Sequence, residues 1–273
     1  MALLDILYHA VTGFSWRDLL ICLLVLTPLE HLLPIHEKAR ALRRGWLTDV
    51  VHFFFSGIFI RFGLMLVIWA AATLGAAAVP SALQLGIQSQ ALWVQVILAT
   101  IIADLGFYLS HRAMHRIPAL WHFHAVHHSS EEMDWLAAYR VHPVDQIIVK
   151  GSSLIPMFAL GFSAEAILIA SLIYTWQALL VHSNIRLPLG PLRLLVVGPE
   201  FHHWHHANER EAYDKNFSGQ LPIWDIVFRT IHMPGRMPER YGVDEPMPES
   251  WSGQMAYPFR RNAEARVAEA EQP

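Results

Sequence analysis

The sequence predicts an all-α integral membrane protein of about four transmembrane helices or helical hairpins under a histidine-rich helical cap. Three observations carry that prediction. Hydrophobic residues make up 54% of the 273 positions and charged residues only 16%, against about 25% charged in an ordinary soluble domain. No Asp, Glu, Lys or Arg occurs between Phe62 and Ala103. There are 17 histidines, nearly as many as the 20 lysines and arginines together, and they cluster at helical spacing.

The elements follow in chain order. The first sixteen residues carry no Lys or Arg, so the basic start of a secretory signal is missing and the N-terminus is expected to be retained. Leu19 to Leu29 is a short apolar run, long enough for a further crossing only with its flanks. The uncharged stretch from Phe62 to Ala103 covers two crossings at about 20 residues each. The first helix is expected at 51–78 and the second at 91–110, with Pro80, Ser81 and Gln84 to Gln90 turning between them. Gly151 to Ile185 is apolar with a single formal charge, Glu165, and Gly161-Phe162-Ser163 near its middle. Two short crossings or a re-entrant hairpin fit it equally. The tail from Pro234 is proline-rich and expected to be irregular through 234–273, with Asn262 to Pro273 frayed.

Topology follows from charge. The loop His36 to Asp49 holds Lys38, Arg40, Arg43 and Arg44, which puts it in the cytoplasm by the positive-inside rule, and the uncharged 80–90 loop on the other side. The segments after Ser110 and after Arg186 then return to the cytoplasm, so every histidine cluster lands on one face.

Those clusters carry the chemistry. Twelve histidines lie between His111 and His206. His111 and His115 are spaced i, i+4, about 6 Å apart on one helical face, with Asp104 and Tyr108 on the same stripe. His124, His127 and His128 share a face at i, i+3, i+4, and so do His202, His205 and His206. His182 stands between them. These nine imidazoles suffice for two metals with four or five nitrogens each. Clustered imidazolium would repel itself, so such a group needs a cation. Imidazole ligation suits Fe, Zn, Cu or Ni alike. His122 and His203 lie off the stripes as neighbours; His9, His31, His36, His52 and His232 read as surface or interfacial. The single cysteine, Cys22, excludes an intramolecular disulfide and thiolate zinc clusters, and the net charge of −3 gives no reason to expect nucleic acid.

Four further residues are candidates around the site. Asp104, a carboxylate at the end of an apolar helix, is expected to hydrogen-bond the free ring nitrogen of His111 or a neighbour. Asn184 fits either a metal-bound water or a helix C-cap. Arg140 and His142 fit a network behind the ligands or contact with phosphates. Trp224-Asp225 reads as packing and capping, and Arg61 as snorkelling to the interface.

In order and spacing, HRAMH, LWHFHAVHHS, RVHP, VHSN, PEFHHWHHAN and DKNFSGQLPIWDIVF resemble the sterol desaturase/fatty acid hydroxylase superfamily of membrane di-iron enzymes, from about Asp104 to Thr230. The resemblance implies one membrane-embedded domain over 1–273, with the histidine-box region at about 104–230. It also implies two iron ions, zinc being a possible substitute, with dioxygen as co-substrate and a lipid substrate to be hydroxylated or desaturated. Its ligands map onto His111, His115, His124, His127, His128, His182, His202, His205 and His206. The chain departs from the pattern in places. Ala178 and Arg186 stand where some members carry a further histidine, and Arg229-Thr230 replaces a Gly-Thr turn. His142-Pro143 lacks the glycines of a heme box, so electrons are expected from a separate donor of ferredoxin, cytochrome b5 or reductase type. A bacterial inner membrane, with the site on the cytoplasmic side, is the expected location. The rival reading is a histidine-rich membrane protein that binds or transports metal without oxygenase activity. The charge-free 62–103 stretch offers that rival no ionisable path across the membrane.

Overall fold

A computed structural model describes residues 16–37 and 42–270, and among these the chain is all-helical apart from two isolated β-bridges. The start of the chain and two of the loop charges, Lys38 and Arg40, lie outside the described residues.

Helix α1 is Trp16–Leu32. A continuous helical rod follows, made of α2 (Trp46–Val51), a π-turn (His52–Ser56) and α3 (Gly57–Ala78). It ends at Val79, whose extended backbone precedes Pro80 as a residue before proline prefers. A short surface helix, α4 (Ser81–Gln88), leads to α5 (Leu92–Arg116). Trp46–Gly75, α5 and a third helix, α8 (Ala164–His182), are each long and apolar enough to cross a membrane. Their outer faces leave Phe62, Leu66, Trp69, Leu74 and Trp93 about two-thirds exposed. An apolar surface of that extent is costly in water and natural in hydrocarbon.

The stretch 151–185 resolves into two helices. Helix α7 (Pro143–Ala159) begins well before the apolar run and is joined to α8 by a turn at Gly161. The φ of +76° at that glycine is the left-handed geometry an L side chain resists. Helix α7 packs along α3 and α5, and α8 packs on α5. Gly106 of α5 lies against the backbone of Ser152, where a Cβ would collide; small residues permit such close approach between membrane helices. Leu64, Ala99, Ala103, Leu154, Met157, Ile167 and Ala170 form the buried core among these four helices.

Prolines set the elements of the cap. Pro118 drives Ile117 out of helical backbone, which stops α5 at Arg116, and itself opens α6 (Pro118–His128) at the first helical position. Pro199 does the same for α9 (Pro199–His205). A five-residue helix, α10 (Ile223–Val227), follows.

Two expectations need correction. The tail is irregular only as far as Ser250; Trp251–Ala270 forms a helix, α11, with Pro258 inside it. Packing against α6 overrides local propensity there: Gln254 and Tyr257 are buried, and Gln254 Oε1 meets His52 Nε2 at 2.7 Å. His52 is accordingly buried within the bundle, not at the surface. Arg43, one of the loop cations, is turned inward. It is 2% exposed and paired with Asp49 and Asp134, so among the described residues of the loop the positive charge facing solvent is Arg44.

Candidate metal centre

Nine imidazoles meet at the ends of the helices. His111 and His115 close α5, His182 is the last residue of α8, His124, His127 and His128 ride on α6, and His202, His205 and His206 on α9 and its cap. They sort into two groups: His111, His115, His124, His128 and His205; and His127, His182, His202 and His206. Within each group the candidate ligand atoms all lie within 4.8 Å of one another. Helices α6 and α9, with the cap residue His206, each supply both groups through their periodicity, whereas α5 supplies only the first and α8 only the second. On α6, for example, His124 and His128 point to the first group while His127 points to the second.

The ring nitrogens indicate what the groups can hold. His111 Nδ1 donates to the Phe217 carbonyl at 2.7 Å, His124 Nδ1 to Asp145 at 3.0 Å and His127 Nδ1 to the Arg140 carbonyl at 3.1 Å. His182 Nδ1 donates to the Ala178 carbonyl at 2.6 Å and His205 Nδ1 to the Lys215 carbonyl at 2.9 Å. These partners only accept, so each Nδ1 carries the proton, and a neutral ring held this way turns a bare lone pair at Nε2 inward. Yet Nε2 of His127 faces Nε2 of His182 at 3.1 Å, and Nε2 of His111 faces that of His124 at 3.0 Å. No proton lies between neutral rings held this way. Opposed lone pairs in a buried site call for a cation, and one ion per group at metal–nitrogen distances of about 2.0–2.1 Å would satisfy them. His115 Nε2 is likewise buried with no hydrogen-bond partner.

Electrostatics keeps five of the cap histidines unprotonated. Burial, with the nearby His124 adding to it, lowers His127 to about 4. Burial lowers His205 to about 3, with His124 and His127 contributing. His128, His202 and His206 are driven well below the ordinary value by burial and then by neighbouring imidazoles. All five therefore stand ready as neutral ligands at pH 7.

The four residues expected around the site take different posts. Asp104 does not hold His111. Its oxygens accept the backbone N–H groups of Gly219, Gln220 and Leu221 at 2.8–3.0 Å, because that irregular turn has donors no helix satisfies. Its influence on His111 runs through the same loop, which presents the Phe217 carbonyl. Asn184 does not face the rings; it accepts from His36 N and donates to His36 O, closing the Pro34–Ile185 bridge. The Arg140 guanidinium pairs with Asp49 at 2.5 Å, while its carbonyl orients His127. His142 caps α7, Nδ1 accepting from Val144 N, and donates to the Met255 carbonyl.

Several residues escaped the sequence reading. Asp145, fully buried, orients His124; the available signal was an acid in the first turn after His142-Pro143. The carbonyls of Phe217, Lys215 and Ala178 could not be read, since every residue has one. Asp225 accepts from the N–H groups of Phe217 and Ser218 and from Thr230 Oγ1. This fits the capping role expected for Trp224-Asp225.

A cavity of about 180 Å³ lies beneath the rings, between α3, α7 and α8. His111 and His124 of one group and His127, His182 and His202 of the other line its floor; Phe53 and Ile60, Val149, and Leu172 and Trp176 line its walls. Arg61, expected to snorkel, lines it too.

Residues 96–230 match the sequence profile of the fatty acid hydroxylase family. An ornithine lipid hydroxylase of Rhizobium tropici is 31% identical over 63% of this chain and 53% of its own length. Alkylglycerol monooxygenases of Danio rerio and Homo sapiens are 33% and 35% identical over 59% and 47% of this chain, and over 36% and 28% of theirs. The chain thus spans about half or less of the length of these relatives. No solved structure matches it.

Proposed function

Residues 96–230 make this chain a member of the sterol desaturase/fatty acid hydroxylase superfamily, and from that premise we propose that it is a membrane di-iron oxygenase that uses dioxygen to oxidise a C–H bond of a lipid. One observation carries the reading: two groups of imidazoles with inward lone pairs share the floor of a single apolar-walled cavity among membrane helices. His111, His115, His124, His128 and His205 would hold one iron, and His127, His182, His202 and His206 the other. Bound there, the irons supply dioxygen activation and abstraction of hydrogen from the substrate.

The protein supplies the rest. Fixed Nδ1–H tautomers pre-orient the ligand lone pairs, so little reorganisation accompanies binding. The cavity walls exclude water and hold an acyl chain against the floor. Electrons come from a separate donor of ferredoxin, cytochrome b5 or reductase type. The relatives named above act on ornithine lipids and alkylglycerols; a membrane lipid is the substrate proposed here, in a bacterial inner membrane with the site facing the cytoplasm. Anaerobic reconstitution of the purified chain tests the reading. Two iron equivalents and lipid-stimulated oxygen uptake are expected. Fewer than two irons under saturating supply, or zinc with no oxygen uptake, overturns it.

A further inference from the structure

Lys150 of α7 has no part in holding the histidines, yet it lines the cavity beneath them. It also lines an adjoining apolar pocket bounded by Ala103, Leu154 and Met157. Among the described residues its ammonium makes no ion pair or hydrogen bond; its one partner is the Tyr174 ring, 6.0 Å away. Two carboxylates line these pockets with it. Asp104 accepts three backbone amides, and Asp145 gives Oδ2 to His124 while its Oδ1 is buried without a hydrogen-bond partner; neither forms an ion pair with Lys150. A distant aromatic face offsets only part of the cost of removing an ammonium from water. A cavity built for an uncharged lipid gains nothing from such a group.

We propose that Lys150 binds an anionic group of the substrate, carboxylate or phosphate, so that the chain acts on acidic lipids. The inference rests on the oxygenase reading for the identity of the cavity as a substrate site.

Equilibrium binding to the purified full chain in neutral detergent tests this with three radiolabelled probes: oleate, methyl oleate and dioleoyl phosphatidate. Wild type should prefer an anionic probe over methyl oleate by about tenfold or more, the scale of one charged hydrogen bond. Lys150→Met should abolish the preference and Lys150→Arg should keep it. Preference for oleate or for phosphatidate identifies the anion. Equal binding of oleate, phosphatidate and methyl oleate by wild type overturns the proposal, and that comparison stands even if Lys150→Met fails to fold. A preference that survives in Lys150→Met also overturns it. Iron content measured on the same samples separates the two readings: loss of iron with the preference intact sinks the oxygenase and leaves the anion site standing.

Discussion

Asp145 Oδ2 lies 3.0 Å from His124 Nδ1, both groups being almost wholly buried. The carboxylate fixes the tautomer of a ring whose Nε2 touches those of both His111 and His128. Asp145→Ala should therefore weaken iron binding about 10–100-fold. Asp145→Asn should cost less, because the amide oxygen still accepts from Nδ1. A chelator-competition titration measures both, and an Ala variant with wild-type affinity would exclude the orienting role.

The two groups differ in redundancy. His205→Ala leaves four rings in its group, whereas His127→Ala leaves three. After anaerobic reconstitution, His127→Ala should fall by about one iron equivalent and His205→Ala should retain more of its second iron, bound more weakly. Elemental analysis at graded iron supply checks the order. Full retention of two irons in both variants would remove these residues from the ligand set.

Arg229 occupies the left-handed region at φ +59°, where the superfamily pattern has glycine. The turn keeps its shape without the glycine: Asp225 O accepts from Thr230 N at 2.8 Å, and Thr230 Oγ1 reaches Asp225 and Tyr108. A non-glycine residue held there costs about 1–2 kcal/mol. Arg229→Gly should thus raise the thermal midpoint by a few degrees with iron content unchanged. A lower midpoint would show that the arginine side chain is itself stabilising.

His203 is buried beside the ligands without joining them, bonded to the Ser183 carbonyl and Tyr241 hydroxyl. Burial lowers it to about 3, against an ordinary value of 6.5. Its folded value lies below its unfolded one, so between the two the unfolded chain takes up the proton. Stability is complete above pH 6.5 and falls as pH drops toward 3, by about 1.4 kcal/mol per unit. Unfolding midpoints at pH 7.5 and 5.0 should separate less in His203→Gln than in wild type. Equal separation would mean that His203 does not contribute to the acid sensitivity.

The sequence by itself determined the helical membrane class and which histidines gather. Period, charge-free length and the i, i+3, i+4 spacings are local properties, and burying nine imidazoles leaves few alternatives to bringing them together. Proline positions likewise marked where α6 and α9 begin. Only the tertiary structure decided how the nine divide into five and four, since partition depends on which faces of α5, α6, α8 and α9 oppose one another. It also decided what holds each ring. Asp104 went to a backbone turn, Asn184 to the His36 backbone and Asp145 to His124, because a buried polar group bonds whatever unsatisfied partner the fold brings within reach. Such partners, often plain carbonyls, leave no mark on residue type.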